Sequence, residues 1–322
     1  MLNVTGYTQT IQRLQDELKF LPVETEILPI AKALGRTLAQ DIQAEEDIPP
    51  YDRSVMDGFA VRAADTFGAG ASLPVMMEIA GEVGMGEYVT TVLQKGRAFR
   101  ISTGGMLPPG ADGVVMIEYT EELDANTVLI EKSISPGENI IRKGEDIKIG
   151  ENLFLKGHVL RPQDIGAMAA LGVCAAAVYK PMRIGIVSTG NEIVNPAEKM
   201  QPGKIRDINT YALAAAIEKD GFLPKTYEIV PDEFNELKNM LVLALQENDA
   251  VLISGGSSVG VMDMTLKVID SIHNSKILIE GIALKPGKPT IAALVNQKPV
   301  FGLPGHPVSA FIVYHTVIAP VM

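Results

Sequence analysis

The sequence predicts a multidomain α/β protein whose C-terminal part is a three-layer α/β domain, the MogA/MoaB-like arrangement of a mainly parallel sheet between helices. Three observations carry that expectation. From Met182 onward, apolar β-branched runs alternate with helical ones, as in RIGIVS, then Asn209–Lys219, then AVLIS. Strands that alternate with helices imply parallel pairing with both faces covered. Between residues 46 and 146, short β-branched runs are separated by Gly/Pro turns such as LPPGADG, which predicts a β-rich domain. The 322 residues are 47% hydrophobic, enough for two or three cores.

Taken in order, residues 8–43 read as helical, because Ile11, Leu14 and Leu18, and then Ile30, Leu34 and Leu38, follow helical spacing. Ile48–Gly58, IPPYDRSVMDG, ends that pattern with two prolines. Ala98–Ser102 and Gly113–Ile117 are strands of the β-rich block 46–146. Residues 147–178 carry Pro162 and a helical stretch, Gln163–Leu171. Packing of that piece on the N-terminal helices would make 1–45 and 147–178 one discontinuous helical linker domain. The α/β domain takes 179–322. Its strands are RIGIVS, KTYEIV, AVLIS, Ile277–Ala283, Thr290–Val295 and Val300–Phe301, and its helices Asn209–Lys219, Glu233–Gln246, Met264–Ile272 and one from about Pro307.

Net charge is −11, from 28 basic and 39 acidic residues, which argues against a nucleic-acid surface. The N-terminus lacks the basic start and apolar core of a signal peptide. The longest apolar run, Ile165–Tyr179, is too short to span a bilayer. Cys174 is the only cysteine, so no intrachain disulfide forms, and a reducing cytoplasm fits. It reads as a small packed residue in preference to a nucleophile.

In open α/β sheets, ligands bind beyond the carboxyl ends of the strands. Those ends carry Thr189-Gly190-Asn191-Glu192, then Pro231-Asp232, then a loop containing Gly255, Gly256, Ser257 and Gly260 that closes on Asp263. Lys285 and Lys288 follow in LKPGKP, and Gly305, His306 and Ser309 in GLPGHPVS. Glycines let backbone N–H groups approach an anion, and helix starts after Gly260 and Gly305 add partial positive charge. The lysines neutralise phosphate on an acidic chain. Glu192, Asp232 and Asp263 are candidate ligands for Mg²⁺, a hard cation. Each feature has a plainer reading: a turn, a first-turn acid before a helix for Asp232, a solvated lysine pair, or a capping residue instead of a base for His306. Their convergence favours a phosphate site. A second group, Asp52, Arg53, Ser54 and Asp57 with Ser102–Gly105 and Arg142–Asp146, is either a site or a set of solvated loops.

These segments resemble the MoeA/gephyrin E-domain family, the molybdopterin molybdenumtransferases. The matching runs are PPYDRSVMDGFAVR (49–62), STGGMLPPGADGVVM (102–116), RKGEDI (142–147), STGNE (188–192), SGGSSVG with Asp263, KPGKP (285–289) and GLPGHPVSA (302–310). The resemblance implies an enzyme that inserts molybdate into adenylylated molybdopterin with Mg²⁺ and releases AMP. It also implies a homodimer whose cleft is shared between the α/β domain of one subunit and the β-rich domain of the other, and a place beside other molybdopterin-pathway enzymes. Asp57 and Thr103, with Asp146 nearby, would line the cleft from the partner. Glu192, Asp232 and Asp263 would handle metal and molybdate, and Lys285, Lys288 and Ser309 would face phosphate or pterin. Val261, Met262, Met264 and His306 depart from the family's usual residues, and the chain stops at YHTVIAPVM, short of the C-terminal β domain of longer members. Two further readings stay open: adenylylation of molybdopterin, or a scaffold that kept the fold without turnover.

Overall fold

The computed structural model of the chain describes residues 4–255 and 259–322, without the side chains of residues 259–261. Contacts divide the chain into two compact units, residues 1–26 with 179–322, and residues 27–178.

The β-rich unit, 27–178, holds a six-stranded sheet of β1 (Gly58–Val61), β2 (Val75–Val83), β3 (Arg97–Ile101), β4 (Gly113–Met116), β5 (Thr120–Asp124) and β6 (Thr127–Ile130). Their order is β4-β1-β3-β2-β6-β5, antiparallel except for the β2–β3 pair. Alternation sends Phe59 and Val61 into a cluster with Met77, Val115, Val128 and Ile130, and Ala60 into another with Val83, Phe99 and Val114. A third cluster joins Leu38, Leu160 and Val178 to Met168 of a helix, Pro162–Ala170. That helix starts with proline, and the Asp164 carboxylate accepts the Arg161 N–H at 2.9 Å.

In the α/β unit the strands are β7 (Arg183–Thr189), β8 (Leu223–Thr226), β9 (Ala250–Gly255), β10 (Ser275–Ile279), β11 (Ile291–Val295) and β12 (Lys298–Leu303). The order is β8-β7-β9-β12-β11-β10. β8, β7, β9 and β12 are parallel; β11 runs antiparallel to both β12 and β10, so β10 shares the common direction. The β11–β12 hairpin turns on Asn296 and Gln297, at φ 50° and 63°, the left-handed pair that a two-residue turn between twisted strands requires. Six of the seven β7 residues are buried, as expected of a strand covered on both faces. Ile184, Ile186, Leu252 and Phe301 meet Leu213 and Ile217 of one helix, Asn209–Lys219, and Val313 of another, Pro307–Val313. On the opposite face Val187, Val251, Ile253 and Val300 meet Leu237 and Leu241 of the helix Phe234–Glu247 and Val268 and Ile269 of the helix Val259–Asp270.

Three expectations are corrected. The N-terminal helix, Tyr7–Leu18, belongs with the α/β unit and not with a 1–45 linker domain. Its Leu14 and Leu18 share a core with Ile184, Ile279, Ile282 and Tyr314, because the Thr5–Ile282 bridge ties the chain start to that sheet. The second helix expected before residue 43 does not form. Thr25–Pro29 is a strand paired with Ala175–Tyr179, a single 3-10 turn follows, and Gly35 at φ 74° reverses the chain, leaving Leu34 exposed while Leu38 is buried. The strand expected at KTYEIV lies earlier, at Leu223–Thr226, and only Val230 continues it by a bridge to Thr189. Among the described residues no helix is long and apolar enough to cross a membrane.

Candidate active site

Because β8, β7, β9, β12 and β10 point one way, their carboxyl ends lie along one edge of the sheet, and antiparallel β11 starts from that same edge. Glu192 follows β7 and Asp232 follows the Thr189–Val230 bridge beyond β8. Gly255 ends β9, Lys285 and Lys288 join β10 to β11, and Gly305 follows β12. The topology therefore gathers these six positions on one edge, which is where such sheets bind ligands.

Thr189 is the pivot of that edge. It is fully buried at the end of β7, and its hydroxyl donates to Asp232 Oδ1 at 2.7 Å. The Asp232 N–H donates to Asn191 Oδ1 at 3.3 Å, and Lys204 Nζ donates to the Asn191 carbonyl at 2.6 Å. Asp232 thus stands before the helix Phe234–Glu247 as a half-buried, side-chain-bonded carboxylate, not as a first-turn acid. Gly255 pairs with Thr189, and a Cβ there would lie 2.3 Å from the Thr189 carbonyl oxygen, so this position admits only glycine.

Behind the edge runs a buried polar layer that sequence reasoning missed. Ser188 and Thr210 share a hydroxyl bond of 2.7 Å. Asn209 Nδ2 donates to Ser254 Oγ at 2.7 Å and to the Gly305 carbonyl at 2.9 Å, so one amide ties the ends of β9 and β12 together. Its Oδ1 is buried with no partner among the described residues. Asp207 Oδ1 accepts the Thr210 N–H at 3.1 Å. The local signal is Asp207, two residues before the helix that Asn209 opens, a position from which a side chain caps a backbone donor.

The remaining candidates are placed as follows. Glu192 and Asp263 are exposed, Asp263 on the helix Val259–Asp270, whose neighbouring Met262 turns into the core. Gly256 and Ser257 lie outside the described residues, and Gly260 is in the first turn of that helix. Lys285 and Lys288 are exposed beside a cavity of about 530 Å³ that Val4, Ile282 and Leu284 also line. His306 occupies the N-cap position of the last helix, but its side chain makes no cap; its carbonyl accepts the Ser309 and Ala310 N–H groups, both at 3.0 Å. Ser309 is on the buried face of that helix. Among the described residues no three His, Cys, Asp or Glu side chains converge closely enough to hold a metal ion by themselves.

In the β-rich unit, Asp57 Oδ1 accepts both the Thr103 N–H at 2.7 Å and its hydroxyl at 2.9 Å. These bonds, the backbone one first, hold the Asp57 carboxyl below the usual carboxylate range. Asp146 lies in a loop laced to the Ile48–Asp52 segment: its N–H reaches the Ile48 carbonyl at 3.0 Å, and the Lys143 N–H reaches Asp52 Oδ1 at 2.7 Å. The structure brings Asp57 to Thr103. These residues lie in a different compact unit from Glu192, Asp232 and the lysines.

Comparison with known proteins then decides the family. The family model "MoeA N-terminal region (domain I and II)" matches residues 5–172. The chain belongs to the MoeA family. A second model, "Probable molybdopterin binding domain", matches residues 185–322. The chain is 33% identical over 312 residues to a molybdopterin molybdenumtransferase of Staphylococcus aureus strain COL, covering 97% of this chain and 74% of that one. It is 32% identical to the protein of that name from Bacillus subtilis strain 168, covering 93% and 70%. Among solved structures, a molybdopterin biosynthesis MoeA protein from Pyrococcus horikosii superposes with a TM-score of 0.86 at 37% identity, covering 99% of this chain and 79% of that one.

Proposed function

We propose that this MoeA-family chain is a molybdopterin molybdenumtransferase, which inserts molybdate into adenylylated molybdopterin and releases AMP. The observation that carries this reading is the placement of Glu192, Asp232, Gly255, Lys285, Lys288 and Gly305 along one carboxyl edge of the α/β sheet. That combination suits a phosphoanhydride: backbone N–H groups and lysines offset the charge of the phosphates, while carboxylates flank them. The described residues do not by themselves form a metal cage. Mg²⁺ commonly binds through one or two carboxylates together with substrate phosphates, and a Mg²⁺ requirement would then enter with the substrate. The reading includes a cytoplasmic homodimer, in which Asp57, Thr103 and Asp146 of one subunit serve the α/β unit of its partner.

The test is an incubation with adenylylated molybdopterin, Mg²⁺ and molybdate, followed by assay of AMP. Molybdate-dependent AMP release is expected, and Asp263→Asn should abolish it while leaving the circular-dichroism spectrum unchanged. Undiminished release from that variant would sink the assignment. Consumption of ATP with release of pyrophosphate would point to the preceding adenylylation instead.

A further inference from the structure

We propose that Thr189 is a positioning residue that fixes the Asp232 carboxylate, occupying Oδ1 so that Oδ2 is the oxygen left to act on the bound phosphate-bearing substrate. The inference rests on the transferase reading for the role of Asp232 and goes beyond it in assigning Thr189. Three observations lead to it. Thr189 is 0% exposed, and the only acceptor its hydroxyl meets among the described side chains is Asp232 Oδ1, at 2.7 Å. A hydroxyl bonded to a carboxylate at that distance is a charge-assisted bond, stronger than one between neutral groups. Second, the side chain has little freedom to turn. Threonine is β-branched, and Thr189 Cγ2 is packed where a Cβ on Gly255 would come within 2.2 Å of it. Third, Asp232 is held from its backbone as well, through the 3.3 Å bond from its N–H to Asn191 Oδ1.

A purely structural residue at this point has no use for the hydroxyl. Valine has the same shape, suits a buried strand end, and avoids the desolvation of a polar group. The hydroxyl is therefore best accounted for by what it holds. Thr189 also joins the two halves of the edge, because the same residue faces Gly255 through its methyl group and backbone and Asp232 through its oxygen. Displacement of Thr189 would disturb the glycine-bearing strand end and the carboxylate together.

The experiment compares Thr189→Val and Thr189→Ser with the parent chain in molybdate-dependent AMP release. Thr189→Val should lower kcat about 10- to 100-fold, with KM within about twofold. Thr189→Ser, which keeps the hydroxyl, should recover most of the rate. Combined with Asp232→Asn, Thr189→Val should add less than about a twofold further loss, since a residue acting through Asp232 has nothing left to position. A Thr189→Val enzyme with the parent kcat overturns the proposal, and so does an equal loss in both Asp232 backgrounds. If Thr189→Val unfolds, Thr189→Ser decides, and a serine enzyme that folds but is slowed 10-fold or more refutes the hydroxyl's role. A parent chain with no molybdate-dependent AMP release overturns the transferase reading and this proposal with it, whereas a fast Thr189→Val enzyme overturns this proposal alone.

Discussion

The two compact units use their aspartates differently. In the β-rich unit they are spent on backbone N–H groups: Asp41 takes that of Lys156, Asp47 that of Ile149, Asp52 that of Lys143, Asp57 that of Thr103 and Asp112 that of Ala63. Long irregular connections between short strands leave orphan donors, and a nearby carboxylate satisfies them. In the α/β unit Asp207 and Asp249 likewise take the N–H groups of Thr210 and Arg183, but the loops at the carboxyl edge are also held by hydroxyls and an amide, through Ser188–Thr210, Asn209–Ser254 and Thr189–Asp232. Neutral side chains bear much of the structural load there, and Glu192 and Asp263 are left on the surface. The difference teaches that a cluster of acids in the sequence does not by itself mark chemistry: in the β-rich unit most of these acids hold loops, whereas Asp232 of the α/β unit is itself held, by Thr189.

The largest expected effect asks whether Asp57 is nevertheless part of the chemistry across the proposed homodimer. Asp57→Asn and Asp263→Asn chains should each lose AMP release alone. Mixed under conditions that exchange subunits, they should regain about a quarter of the parent activity, because random pairing of C2 dimers leaves one intact cleft in half of them. No recovery from freshly exchanged mixtures would confine Asp57 to its loop-holding bond with Thr103 and would break the shared-cleft picture.

A second prediction concerns the position with least room. Gly255→Ala places a methyl 2.3 Å from the Thr189 carbonyl oxygen, a contact that only backbone movement relieves. Loss of AMP release and a fall in Tm of several degrees are expected, about what an overpacked core position costs. Gly104→Ala in the β-rich unit strains a residue at φ 80° but brings the new Cβ no closer than 3.4 Å to the end of the Met85 side chain. It should cost about 1 kcal/mol, by the left-handed conformation alone. Equal losses from the two variants, measured by urea denaturation, would remove the contrast between backbone clash and local strain.

Much of this organisation is legible in the sequence, and what is not has physical causes. The helix Asn209–Lys219 was readable because its apolar face repeats and Asp220-Gly221 ends it. The shared carboxyl edge is readable because strands alternating with helices imply parallel pairing. Helical spacing at Ile30, Leu34 and Leu38 misled, since Gly35 and a short strand produce the same spacing without a helix. The home of Tyr7–Leu18 was hidden because the Thr5–Ile282 bridge joins residues almost 280 apart in the chain. The strand-end position of Thr189 and the helix-start position of Asn209 are legible, but their bonds to Asp232 and Gly305 are not, because these join residues 43 and 96 apart in the chain.

That N-terminal helix supplies a third, smaller effect. Leu14 is 0% exposed within the α/β core, so Leu14→Ala should cost about 2–5 kcal/mol. Hydrogen exchange should locate the loss in β7, β10 and β12 and leave the helix Pro162–Ala170 of the β-rich unit protected. Loss of protection in Pro162–Ala170 instead would return the N-terminal helix to a linker domain.

The smallest effect separates the units by pH. In the α/β unit burial, and then the bond it donates to Glu247 at 2.6 Å, push the Tyr227 phenol from 10.0 up to about 12. A folded value above the unfolded one means that this contribution is complete below about pH 10 and is lost as pH rises towards 12. Tyr314, buried and bonded to Asp220, moves the same way. In the β-rich unit the Arg161 side chain first, and then His158, hold the buried Asp164 carboxyl well below its ordinary 3.8. A depressed value means that its contribution is present above 3.8 and is lost as pH falls below it. Hydrogen exchange followed unit by unit should therefore show the β-rich unit loosening first in acid and the α/β unit first in alkali. Asp164→Asn should flatten the acid limb and Tyr227→Phe the alkaline one. Limbs that survive both substitutions unchanged would show that the units do not titrate through these anchors.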